Sequence, residues 1–365
     1  MKFTVKKDDL LPLLTRVNNI IEKKSTQKIR THVLIRAANN EVELIGFDKE
    51  IKISGRTPAV IESSGETTVT SQKFHAIVSS IPNGEEALIE LNDNSLDIVA
   101  GHSNFHLATI PAEDYPLPDS YVFEQSFSLP ACDLVGLFNQ VKFSMANNDV
   151  RHYLNGMLLH FTPSALFAVS TDGHRLSLAE IPNTFGIEEQ KTIIPRKAVA
   201  EIIGWLSGEE ENAQVNLSDT HLQVVFGRTE LTTTVVNAEY PAYETVIPDL
   251  AEKLIVIPKE DLRKALQRAK ILSSEYGVGV SLVFSPWKLD LSAKNIDNES
   301  VEDSLDINYD GEIIKTAFNI NYLLEIISVV ENENITLSLR DSQSSCLIFD
   351  AEKETARYVV MPMNI

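Results

Sequence analysis

The chain has 365 residues, 43% hydrophobic and 23% charged, the composition of a globular protein long enough for two or three domains. Its formal net charge of −20 excludes a protein that grips nucleic acid over its whole surface, since phosphate contacts need Lys and Arg, but not one with a small basic face. No apolar run is long enough to span a bilayer, and the N-terminus reads as a strand rather than a cleavable signal. The two cysteines, Cys132 and Cys346, lack metal-ligand spacing, so reduced thiols in a cytosolic protein are expected.

The first element, FTVKKDDLLPLLTRVNNII from Phe3, recurs as FSLPACDLVGLFNQVKFSM from Phe127 and IVIPKEDLRKALQRAKILS from Ile255. Each copy opens with alternating apolar residues: Phe3 and Val5, Phe127 and Leu129, Ile255 and Ile257. An aspartate follows (Asp9, Asp133, Asp261), expected to cap the helix behind it and complement its dipole. The helix stripes are Leu10, Leu13, Leu14, Val17, then Leu134, Leu137, Phe138, Val141, then Leu262, Ala265, Leu266, Ala269. Their spacing marks one buried face. Pro12 is expected in the first turn, where its missing N–H costs little. The copies lie a domain's length apart, too far for a solenoid repeat.

A second helix follows in each copy, from Gln72, Arg196 and Asn319, and short alternating strands with Asp-Asn and Ser-Asp turns come after it. AEDYP at 112–116 and AEYP at 238–241 close the first two copies. The expected class is α+β: three similar domains, each two helices packed on antiparallel sheets, over 1–124, 125–250 and 251–365. Tandem duplication without further assembly produces the same pattern.

Basic residues gather on these helices: Arg16, Lys23, Lys24, Lys73, Lys142, Arg196, Lys197, Arg263, Lys264, Arg268 and Lys270, with Arg151 in a loop. Acidic residues concentrate in turns and linkers such as 208–211 and 297–306. For one helix this is an ordinary solvated face, whereas across several it suits a surface passing DNA with weak, salt-sensitive contacts.

No Walker A, HExxH or GxSxG motif occurs, and the eight histidines lack ligand spacing, so neither metal nor cofactor is expected. Ser170-Thr171-Asp172-Gly173-His174-Arg175 places an acid, a base and a hydroxyl together, the basis for a hydrolase alternative using Asp172 and His174. Adjacent strand residues face opposite ways and Asp-Gly favours a turn, so a turn or binding role is the expectation. The chain end, YVVMPMNI from Tyr358, is apolar where termini are usually polar, and should be docked. Tyr358–Val360 would serve as an edge strand, while the flexible methionines suit a surface accepting several partners.

MKFTV, SMANNDVRHYLNGML from Ser144, TDGHRLS from Thr171 and YVVMPM resemble the β sliding clamp family of bacterial DNA polymerase III, in register over the whole chain. The resemblance implies a non-catalytic, three-domain subunit that pairs head to tail into a homodimeric ring, helices inside and sheets outside. It also implies that a clamp loader opens this ring on duplex DNA, and that the ring tethers the replicative polymerase. In such a ring, Phe105 and Leu107 would meet Ile271 and Leu272 of the other subunit. A cleft for short peptides from polymerases, the clamp loader and repair proteins would comprise Leu154, Thr171, Gly173, His174, Arg175, Leu176, Pro241, Val246, Ser345, Val359, Val360, Met361, Pro362 and Met363. The DNA-contacting positions would be Lys24, Gln72, Lys73, Asn148, Arg151, His152, Tyr153, Arg196 and Lys197. Gln72, His152, Thr245, Asn364 and the stretch Gln27–Arg30 depart from the family pattern. A monomeric three-domain adaptor that never encircles DNA is the second alternative.

Overall fold

The computed structural model describes residues 1–118, 120–182, 185–272, 279–350 and 355–363. They form two compact units, Met1–Cys132 with Ala200–Val235, and Asp133–Val199 with Val236–Ile365. The described helices are α1 (Lys7–Ile20), α2 (Ser71–Ser80), α3 (Ala131–Val141), α4 (Arg196–Leu206), α5 (Lys259–Leu272) and α6 (Ile320–Val329). No described helix is long and apolar enough to cross a membrane.

The three expected stripes are the buried faces of α1, α3 and α5. The aspartates, however, are not caps. Strands Lys2–Lys6, Gln125–Pro130 and Leu254–Pro258 run directly into their helices, leaving Asp9, Asp133 and Asp261 inside the first turn. There they still oppose the positive end of the helix dipole. For α1 the N-cap is Lys6, which makes no side-chain capping bond. Because α1 starts at Lys7, Pro12 falls in its second turn, where it removes the donor that would reach Asp8 C=O. Asn319 does cap α6, accepting a hydrogen bond of 2.9 Å from the Asn321 N–H.

In the first unit, a single thirteen-stranded antiparallel sheet joins strands from the first two repeats. The junction pairs Thr229–Thr234 with Ile51–Pro58, Leu231 opposite Ile53. The second unit holds an eight-stranded sheet, in which Arg175–Pro182 pairs with Ala356–Val360, and a four-stranded sheet ending in Ser300–Asp306. Among the described residues several strand edges are unpaired: Gln125–Pro130, Gln190–Pro195 and Ile314–Asn319 each pair on one side, and so do the two stretches that follow. Ser103–Ile110 meets Gly65–Thr70 only through Thr109 and Ile110, so residues 103–108 have no ladder partner on that side. Ser300–Asp306 pairs only with Lys288–Lys294. The acidic run expected in a linker at 297–306 is therefore largely this strand, whose charged residues discourage unwanted pairing.

Strand Glu41–Phe47 runs beneath α1, and the two backbones nearly touch at Gly46. A Cβ there would lie 2.7 Å from Val17 Cγ1 and 3.1 Å from the Val17 carbonyl oxygen. The carbonyl cannot move without displacing the helix, so Gly46→Ala should cost about 1–3 kcal/mol of overpacking. Urea denaturation followed by circular dichroism should show a lower midpoint, and an unchanged midpoint would mean α1 shifts freely.

Candidate functional site

Strands Ala165–Thr171 and Arg175–Pro182 form a hairpin in the second unit, and its turn is the TDGHR segment. Gly173 has φ +91°, a conformation that strains L side chains, and a Cβ there would lie 3.1 Å from the Arg151 guanidinium. Thr171 Oγ1 donates to the Arg175 carbonyl (2.6 Å) and accepts from Gly173 N–H (3.1 Å). Asp172 Oδ1 accepts from the backbone N–H groups of His174 (2.9 Å) and Arg175 (3.1 Å). Its Oδ2 accepts from Arg175 Nε at 3.0 Å. The carboxylate thus holds the turn together, while the His174 imidazole stands exposed.

Arg175 is a brace more than a surface ligand. Besides Asp172 it pairs with Glu325, donates to the Phe143 carbonyl at 2.6 Å, and stacks 4.2 Å from the centroid of the Tyr322 ring. Only 8% of its surface is exposed. Neither Tyr322 nor Glu325 was legible as a partner, because nothing local in the sequence links α6 to a turn 150 residues earlier.

The chain end is fastened to this hairpin. Ala356–Val360 lies between Arg175–Pro182 and Cys346–Phe349, with Val359 opposite Leu176 and Val360 opposite Arg175. It is therefore an interior strand, not the expected edge, because both its rows of backbone groups are paired. Past it, Met361 N–H donates to the His174 carbonyl (3.0 Å) and Met363 N–H to the Ala317 carbonyl (2.7 Å). The backbone is fixed while the Met361 and Met363 side chains stay 40% and 37% exposed. Asn364 lies outside the described residues.

Beneath them, Leu176 and Val359 share one apolar cluster with Leu158, Tyr240 and Tyr243, against which Tyr153 and Ile247 pack. Leu154 and Val360 are buried, Thr171, Ser345 and Pro362 half-buried, and Gly173, His174, Pro241 and Val246 exposed. The cleft candidates thus divide into buried or half-buried residues and exposed ones, the latter being Gly173, His174, Pro241, Val246, Met361 and Met363. Apolar side chains with few polar groups are the usual lining of a binding cleft.

Of the DNA-contact candidates, the first unit carries Lys24, Gln72 and Lys73, all exposed, Lys24 and Lys73 without an ion pair among the described residues. The second carries Asn148 (φ +59°), Arg151, His152, Tyr153, Arg196 and Lys197. Arg151 binds both oxygens of Asp149, at 3.0 and 2.9 Å, holding that carboxyl at about 2. Arg196 donates to the Met145 and Ala146 carbonyls at 2.8 and 3.3 Å, so it fixes a loop as well as presenting charge. On α5, Arg268 Nε bonds Asp303 at 2.7 Å and Arg263 Nε bonds Glu260 at 3.0 Å. Arg16 of α1 lies 5.9 Å from the Trp205 ring, in surroundings whose burial lowers its pKa. Much of the positive charge legible in the sequence is therefore already engaged.

Arg175→Lys keeps the charge but loses the planar fork and the stack, leaving carbonyl and carboxylate acceptors unmet. It should destabilise the second unit by roughly 1–3 kcal/mol in denaturant unfolding, a loss that Asp172→Asn alone should not match in full.

Residues 1–119, 128–242 and 244–364 match the N-terminal, central and C-terminal domains of the DNA polymerase III beta subunit family. The beta sliding clamp of Salmonella typhimurium LT2 is 35% identical over 366 residues, covering 100% of both chains. The crystal structure of the DNA polymerase III subunit beta from Pseudomonas aeruginosa superposes with a TM-score of 0.96 at 32% identity, again over 100% of both chains. A Bartonella birtlesii sliding clamp bound to griselimycin gives 0.97 at 30% identity, with the same coverage. With three family domains matched in order and full-length relatives above the threshold of chance, this chain belongs to the DNA polymerase III beta subunit family, the beta sliding clamps.

Proposed function

We propose that two copies of this chain close head to tail into a ring around duplex DNA, and that the ring tethers a replicative polymerase without doing chemistry itself. The observation that carries this is that 103–108 and Ser300–Asp306 are among the strand edges left open in the described residues, with apolar side chains at hand beside them. Each presents unpaired backbone groups, and an antiparallel junction between different copies would satisfy both at once. Phe105, half-buried, and Leu107, buried, stand on the first edge. Ile271, 77% exposed, and Leu272 end α5 and supply the apolar surface they would meet. Two such heterologous contacts close the assembly and leave no growing end. The three repeats divide at 124/125 and 250/251, and the ring works in the cytoplasm with no cofactor, opened on DNA by a clamp loader.

In this proposal DNA is held by topology, through Lys24, Lys73, Arg151, Arg196, Lys197 and the polar Gln72, Asn148, His152 and Tyr153. The rim of Pro241, Val246, Met361 and Met363 takes short linear peptides from the polymerase, the clamp loader and repair proteins. Wild type should scatter light as a dimer at micromolar concentration, and Ile271→Ala with Leu272→Ala as a monomer. A monomeric wild type would sink the ring and favour the adaptor. Met361→Ala with Met363→Ala should leave the dimer intact yet weaken a polymerase-derived peptide by about 2 kcal/mol or more, measured by calorimetry. Unchanged affinity would remove the terminus from the site.

A further inference from the structure

Behind the turn that carries Val246 stands a buried histidine. His160 lies on strand Gly156–Phe161, whose six residues are all buried, and its side chain is 8% exposed. Across the sheet it faces Lys191 on one side and Phe167 on the other, and Phe167 in turn faces Glu180. Nδ1 lies 2.7 Å from the Tyr243 hydroxyl. Nε2 is buried without a hydrogen-bond partner among the described residues, a Glu189 carboxylate oxygen standing off at 3.8 Å. Glu244 lies 3.9 Å from Nδ1 and is itself 3.6 Å from Lys191 Nζ. Tyr243, 4% exposed, opens the turn Tyr243–Val246 and packs in the cluster of Leu176 and Val359 under the rim.

We infer that His160 is a positioning residue for the peptide cleft: its neutral ring fixes the Tyr243 hydroxyl and with it the Val246 turn, and a proton on His160 releases that turn. The inference rests on the cleft reading above. A neutral imidazole accepts at one nitrogen and donates at the other. With the Tyr243 hydroxyl donating to Nδ1, the N–H sits on Nε2, on the side of Glu189. A second proton leaves Nδ1 unable to accept. The hydroxyl must then turn round to accept from Nδ1–H, and Glu244, itself part of the turn and 3.9 Å from Nδ1, is drawn toward the charged ring, so the turn leaves the position that the neutral pair holds.

Burial and Lys191 disfavour the charged ring, while Glu244 and Glu189 favour it, and burial prevails, so His160 binds its proton below the ordinary histidine range. The sign follows. The unfolded chain takes up the proton first, so what this pair contributes is fully present above the ordinary histidine pKa and is lost as pH falls beneath it. Peptide affinity should follow the same course.

The experiment uses the full-length dimer and a polymerase-derived peptide, titrated from about pH 7.5 to about pH 5.5, the window in which histidine changes charge. The Val246 methyl resonances of the peptide-free protein are followed beside the His160 ring signal. In wild type the methyls should move with the His160 midpoint, and affinity should fall roughly tenfold across the range, equivalent to one unit of proton linkage. His160→Gln can still bond Tyr243 but cannot charge, so it should match wild type near pH 7.5 and show no titration. Tyr243→Phe keeps the buried ring and should bind weakly at every pH. Val246 methyls that ignore the His160 titration, or a His160→Gln profile that falls like wild type, would overturn the inference. Wild type that binds no peptide near pH 7.5 while Val246 still follows His160 would sink the cleft reading and uphold the His160–Tyr243–Val246 coupling.

Discussion

A β-strand at the edge of a sheet carries a row of N–H and C=O groups that water, another strand or another chain must satisfy. Three tandem copies of one α+β unit multiply that problem, since each copy ends its sheet in an edge. Here some of those edges are consumed internally: Thr229–Thr234 extends the sheet of the first repeat through Ile51–Pro58, and Ala356–Val360 extends that of the second through Arg175–Pro182. Repeat number thus translates into continuous sheets. The edges at 103–108 and Ser300–Asp306 are among those that this internal pairing leaves open. In the proposed ring they find their partners in another copy, so one ladder rule accounts for both the fold and the assembly.

The same rule explains how the residues up to Met363 are held in place. An apolar terminus left loose would be an aggregation hazard, but here Tyr358 to Val360 are sealed between two strands and Met361 and Met363 are fastened by their N–H groups. Only their side chains remain adaptable. The TDGHR turn gains rigidity differently, with Asp172 tying its own backbone and Arg175 clamped by Asp172, Glu325 and Tyr322. A stiff floor under flexible thioethers loses little order on binding and still accepts different side chains, which suits a site serving several peptides.

What was legible in the sequence was what short-range periodicity encodes. The stripes of α1, α3 and α5 follow from 3.6-residue spacing, and the Asp172–Gly173 turn follows from local chemistry. Asp9 was misplaced as a cap because the strand before it passes straight into the helix, with no residue spent on a break. The Tyr358–Val360 strand reads the same whether central or at an edge, since apolar alternation reports burial and not the number of neighbours. Farther out the sequence is silent: Arg175 and Glu325, or His160 and Tyr243, meet only through the fold. Without those contacts the eight scattered histidines look alike.

The charge of −20 finds its physical sense in these pairings. A protein that must hold DNA without arresting it cannot present many free cations, because each phosphate it neutralises strengthens and localises the contact. Arg151 is matched by Asp149, Arg263 by Glu260 and Arg268 by Asp303, which leaves their charge near the surface but screened. Lys24 and Lys73 stay exposed, on long flexible stems that pay side-chain entropy for any fixed geometry. Contacts of that kind form and break readily along a uniform phosphate backbone. In the proposed ring, retention comes from closure, which places the burden of holding DNA on strand edges rather than on cations set against phosphate.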